Sequence, residues 1–208
     1  MKLFKVFLAV SLVGALLLSA CRTTDEDRYA AWVKKELARD VQHDSLFLGL
    51  HFGMPRQAFF DTVWQLNRRK LVTHGPRTQS VQYKLPDVEP STTLNFYPEF
   101  TSQGLINEVP VLIGRITYAP WLPNTSADSL IPEACEMIMD WYGGNEFQTF
   151  RFEGLPPLRI KIDGNRRIAV SREDEQYAKV LISDLSAVDQ QKDGLFKVPQ
   201  SHLVNRMP

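Results

Sequence analysis

The chain is poor in cysteine, with only Cys21 and Cys135 in 208 residues. That excludes a disulfide framework, so packing alone must hold the fold. It also lacks a surplus of either charge, with 24 basic and 24 acidic side chains. The basic stripe that marks nucleic-acid binders is therefore absent. No Gly-x-Ser-x-Gly elbow, His-Glu-x-x-His helix or phosphate-cradling glycine loop occurs. The histidines, His43, His51, His74 and His202, share no metal-ligand spacing. His43-Asp44-Ser45 has the residue types of a hydrolase, but consecutive residues cannot adopt triad geometry. The stretch SREDEQ, 171–176, lacks the alternating ligands and glycine of a calcium loop and reads as a solvated turn. The sequence therefore assigns no catalytic residue, no metal and no cofactor. A site assembled from distant residues, such as Cys135 with His74, would leave no local signal. No apolar run reaches the roughly 20 residues of a confident spanning helix.

What is present begins at the N-terminus. Lys2 and Lys5 precede an apolar run over residues 6–18, the proportions of a secretory signal. The run closes on Leu18-Ser19-Ala20-Cys21, which resembles the lipobox of bacterial lipoproteins. The resemblance implies cleavage before Cys21, a diacylglycerol on its sulfur and a further acyl chain on the freed amine. The alternative is an ordinary secreted protein that keeps Cys21 as a thiol. Each buried CH₂ of an acyl chain contributes about 0.8 kcal/mol, and stable anchoring takes two chains or more. A lipid-anchored protein of the cell envelope needs no membrane-binding surface of its own. The leader removes two of the 24 basic residues and none of the acidic ones, which leaves the mature chain about two charges negative. Arg22, rather than aspartate, after the cysteine favours the outer membrane under the enterobacterial sorting rule. The acidic residues 25–27 resemble the export signals of surface lipoproteins in Bacteroidota. A periplasmic or an external face both stay open. With Cys21 acylated, Cys135 has no intramolecular partner; it reads as a small core residue, with a reactive thiol as the alternative.

Residues 24–39 suit a helix, with Thr24 as its cap, acids in the first turn and Lys34, Lys35 and Arg39 towards its end. Tyr29, Val33 and Leu37 share one face. Such a helix could lie in the lipid headgroups with Trp32 at the boundary, pack on its own domain, or be a partly ordered tether. Residues 46–52 form a compact apolar run and are expected to be a strand. Gly53 breaks it, Pro55 opens a helix, and Phe59, Val63 and Leu66 line that helix, with Phe60 and Trp64 beside them. Strands are expected at 81–85, 93–97 and 111–118, punctuated by Pro86, Pro90, Pro98 and Pro110. A proline-rich connector, 118–129, carries Trp121, which either anchors a partner or closes over the core edge. A second helix is expected over 127–142, with Ala134, Ile138 and Trp141 inward and Gly143-Gly144 at its end. Strands follow at 147–152, in a hairpin over 158–170 turned by Asp163-Gly164, and at 177–182.

Runs of strands after a helix indicate an α+β fold with amphipathic helices packed on an antiparallel sheet. The element order suggests two tandem halves, each a helix plus three strands. The expected divisions are a signal peptide at 1–20, an acylated N-terminus with tether or short helix at 21–44, one α+β domain at 45–187 with halves near 45–120 and 126–187, and an extended tail at 188–208. The stretch GLHFGMPRQAFFDTV is similar to the glycine-methionine turn and following helix of small outer-membrane lipoproteins of the barrel-assembly type. Those share with β-lactamase inhibitor proteins a fold of helices over a short antiparallel sheet. The plan also resembles uncharacterised lipoproteins of Bacteroidota, whose second helix ends in a Tyr-Gly pair, here Tyr142-Gly143. Pro55 stands where that pattern has a polar cap. The resemblance implies this fold and a role in envelope assembly or inhibition. The sequence thus points to a lipid-anchored, non-catalytic protein that binds another envelope protein. The rival readings are a small-molecule or glycan-binding module using a concave sheet face, and a hydrolase with dispersed residues.

Overall fold

The computed structural model describes residues 24–76, 79–86 and 88–187. The expected signal peptide, the lipobox with Cys21 and the tail at 188–208 lie outside the described residues. Within them, three α-helices and nine antiparallel strands form an α+β fold. The helices are α1 (Asp25–Leu37), α2 (Arg56–Arg68) and α3 (Ala127–Tyr142). The strands are β1 (Val72–His74), β2 (Val81–Lys84), β3 (Thr92–Phe96), β4 (Glu99–Phe100), β5 (Ile106–Arg115), β6 (Gln148–Phe150), β7 (Leu158–Asp163), β8 (Arg166–Arg172) and β9 (Tyr177–Asp184). They make one sheet in the order β1-β2-β3-β5-β9-β8-β7-β6, and β4 extends the pairing of β5.

The order shows two meanders joined back to back. Helix α2 precedes β1-β2-β3-β5, helix α3 precedes β6-β7-β8-β9, and the last strands of the two units pair, from Glu108↔Ser183 to Gly114↔Tyr177. Each meander has four strands, one more than the helix-plus-three-strand pattern, and β4 is a further strand of the first unit. The extra member of the first unit, β1, has three residues, too few for period-two alternation to show.

Both of these helices cover one sheet face. Phe59 and Leu66 of α2, and Leu130, Ala134, Cys135 and Ile138 of α3, share a core with Leu94, Phe96, Val111, Val180 and Ile182. The opposite face is covered over β6 to β8 by α1. There Tyr29 and Val33 pack with Phe150, Leu158, Ile160 and Ile162. Trp32 stacks on Phe150 at 6.0 Å. Helix α1 is therefore a layer of the fold, neither a tether nor a helix lying free, and the domain reaches back from residue 45 to Thr24. Its start is a complete capping box: Asp27 N–H donates to Thr24 Oγ1 at 3.1 Å, and Thr24 N–H donates to Asp27.

Three expectations need correction. Residues 46–52 are not a strand but a tight loop. Leu46 N–H donates to Leu50 O, Leu50 N–H to Phe47 O, and Leu48 and Gly49 take positive φ. The loop plugs Leu46, Phe47, Leu50 and Phe52 into the core, so its apolarity reports burial and not pleating. The strand expected at 111–118 runs from Ile106 to Arg115, straight through Pro110. Proline is tolerated where the ladder on one side is interrupted: β3 has its last pairing at Phe96↔Val111, and β4 resumes at Glu99↔Glu108. Trp141 is 40% exposed. The inner face of α3 instead runs through Ala127, Leu130, Ala134 and Ile138, and Tyr142 packs against the core at its end.

The tip of the β7–β8 hairpin is buried, which is unusual for a turn. Asn165 accepts from His43 N–H at 2.6 Å and donates to Asp184 at 3.0 Å. Gly164 (φ +55) lies so close to Val41 O that a Cβ there would stand 2.1 Å from it. Glu36, buried near the end of α1, accepts from Gly164 N–H at 3.3 Å. The hairpin tip thus locks the N-terminal segment onto the sheet.

Candidate functional site

The turn Gly53-Met54-Pro55 sets the position of α2. Gly53 (φ +73) donates to Ile106 O at 2.8 Å, and Ile106 N–H donates back to Met54 O at 2.9 Å. Arg56 N–H is taken by Gly104 O. The first turn of α2 is therefore pinned to the β4–β5 hairpin. Phe59 and Leu66 face the core, and the row Phe60, Trp64, Arg68, spaced by four, is left on the outer side. Phe60 is 45% exposed and Trp64 60%. The Arg68 guanidinium lies 4.8 Å from the Trp64 ring.

Phe60 and Trp64, with Val63 and Asn67, form one wall of a mainly apolar groove of about 780 Å³. Val72 and His74 of β1, Val81 of β2 and Tyr97 form the other. β1 is the edge of the sheet, paired only to β2. Gly75 N–H donates to Ser80 O, so the hydrogen-bonded pairs are Gly75–Ser80 and Thr73–Gln82. Val72 and His74 therefore turn their backbone groups outward. Asn67 Nδ2 occupies the Val72 carbonyl at 2.9 Å. Arg68, Arg69 and Lys70, all exposed, sit where α2 hands over to this edge. The site is an open strand edge beside an aromatic groove with a cationic end.

A second pocket of about 500 Å³ lies at the far end of α3, lined by His43, Ser45, Phe47, Trp141, Tyr142 and Arg166. Arg166 donates through Nη1 to Ser45 O at 3.1 Å, and its guanidinium carbon stands 4.2 Å from the Tyr142 ring centroid. Its Nε and the Tyr142 hydroxyl are buried without a hydrogen-bond partner. Burial pushes the Tyr142 phenol up to about 12, with Arg166 pulling the other way. Burial also lowers Arg166, against the opposing pull of Tyr142 and Asp163. Beside it, Lys161 is fully buried, 2.7 Å from Asp163 and donating to Asn145 O at 2.6 Å.

The residues singled out in the sequence are scattered. Trp121 is 79% exposed on the β5–α3 connector, so it does not close over the core edge. Cys135 is buried in α3; burial pushes its thiol up, and a hydrogen bond and charge from Arg159 act against it. His74 lies on β1, separated in sheet order by β2 and β3 from the central strands under α3. The fold does not bring the two together. In the 171–176 turn, Asp174 accepts from Gln176 N–H and Tyr177 N–H, so its carboxylate closes the turn. The groove was not legible beforehand, although Phe60 and Trp64 were set beside the buried row of α2. Nor was the edge strand opposite it.

No family model, curated protein or solved structure matches the chain. The functional reading therefore rests on the geometry above.

Proposed function

We propose that this is a lipid-anchored cell-envelope protein, acylated at Cys21 and seated in the outer membrane, whose domain binds an extended segment of another envelope protein without catalysis. One observation carries the binding half: the sheet edge β1 lies open beside a groove in which Phe60 and Trp64 stand exposed. An extended chain adds to such an edge through its main chain, and alternate side chains fill the groove. Arg68, Arg69 and Lys70 select a segment with carboxylates at one flank. The anchor is supported by the lipobox-like Leu18-Ser19-Ala20-Cys21. The resemblance to barrel-assembly lipoproteins belongs to the same reading.

The test is crosslinked pull-down from detergent-solubilised membranes with wild type, Trp64→Glu and His74→Pro. The His74 N–H points away from β2, so proline there spares the β1–β2 ladder and removes an outward donor. Both variants are expected to fold and to lose the same captured partner. Capture unchanged in both would refute docking at this edge. A second reading, a binding site for a small anionic ligand, is favoured by the buried Arg166 in the pocket beside Trp141 and Tyr142. A cocrystal structure with an aromatic carboxylate seated against Arg166 would establish it.

A further inference from the structure

The connector between β5 and α3 joins the sheet at one end. Ile116 N–H donates to Ser91 O, just beyond the Thr92↔Arg115 pairing, and Ala127 N–H donates to Glu175 O in the β8–β9 turn. The pairings Gly114↔Tyr177, Arg172↔Ala178, Arg159↔Val170 and Phe150↔Leu158 carry that same end across to β6. There Arg151 N–H donates to Asp25 at 2.7 Å, which places the first turn of α1 at this end. The N-terminus of α1 and the 116–126 connector therefore share one pole of the molecule.

The connector presents apolar side chains outward. Ile116 is 57% exposed, Trp121 79% and Leu122 44%. Its shape is held by a turn, Leu122 N–H to Ala119 O at 2.9 Å, with Pro120 inside it. The buried Thr125 hydroxyl braces the turn from behind, donating to Leu122 O at 2.7 Å and accepting from Ala119 N–H at 3.2 Å. An ordered turn holds the tryptophan out.

Cys21 precedes Thr24 by three residues, a reach of at most about 11 Å even fully extended. A lipid on Cys21 would hold the pole with α1's first turn against the bilayer, and the connector with it. We infer that the 116–122 connector is a second membrane contact, with Trp121 and Leu122 entering the interfacial layer of the bilayer that holds Cys21. The inference rests on the proposed anchor. Tryptophan suits that layer because its ring is apolar and its N–H can stay wet. Attraction to anionic lipid does not drive the contact: the pole carries Asp25, Glu26, Asp27 and Glu173, Asp174, Glu175.

The experiment uses the full, natively processed chain reconstituted in phosphatidylcholine vesicles with brominated acyl chains. Flotation reports the anchor, and tryptophan fluorescence reports the connector. Wild type is expected to float and show bromine quenching, Trp121→Phe to float and lose that quenching, and Trp64→Phe to keep it. Flotation with quenching absent, or unchanged in Trp121→Phe, overturns the contact while leaving the anchor intact. Failure of wild type to float, with no acyl mass on Cys21, removes the anchor and the contact together.

Discussion

Tyr142 shows how one side chain couples burial to pH. In the fold its phenol ionises only at about 12, against 10.0 ordinarily. Between those values the unfolded chain binds fewer protons, so stability is intact below about pH 10 and falls as the pH rises towards 12, by about 2–3 kcal/mol in all. Tyr142→Phe removes that alkaline loss. Because the hydroxyl has no hydrogen-bond partner, the variant is expected to lie within about 1 kcal/mol of wild type at neutral pH, or to be slightly more stable. Urea unfolding at neutral pH and again near pH 11 checks both statements; a loss of several kcal/mol at neutral pH contradicts them. The sequence offered Tyr142 only as the end of a helix beside glycine. Its partner, Arg166, is remote in sequence, so no local pattern could expose the pair.

Among elements, α1 is the one whose role depended most on tertiary structure. Its cap, charge order and apolar row were legible because all three reside within neighbouring residues. What the row packs on was not, since Phe150 and Ile160 come from β6 and β7. Thr24→Ala removes the capping box and is expected to cost about 1 kcal/mol, read as a lower midpoint in urea with an unchanged slope. Tyr29→Ala, which strips an edge-on ring contact with Phe150 at 5.9 Å, is expected to cost about 3–5 kcal/mol. If α1 were a loosely held tether, neither change would move the midpoint. Strands were legible where residues alternate, as in β2 and β7, or where β-branched and aromatic residues cluster, as in β3. They were missed where three residues suffice, as in β1, or where apolarity served a plugged loop, as at 46–52.

At the scale of the whole molecule, two helix-and-meander units depend on each other through β5 and β9. Val109, Val111 and Ile113 of β5 are buried, and the whole span from Glu108 to Gly114 pairs with β9. A fragment covering residues 24–126 alone would leave β5 as an open apolar edge. It is expected to show no cooperative thermal transition by circular dichroism, and to regain one when mixed with a fragment covering 127–187. A sharp melt from the first fragment alone would show that the units are independent.

The amino-acid order by itself determined the three helices, the cap of α1, and the α+β class. Each rests on periodicity or chemistry among adjacent residues, where side-chain geometry and backbone hydrogen bonding act directly. Only the tertiary structure decided that β1 is an open edge facing Phe60 and Trp64, that Arg166 lies under Tyr142, and that Trp121 shares a pole with the start of α1. Those depend on which strands pair and in what register, a choice made by burial across the entire sheet.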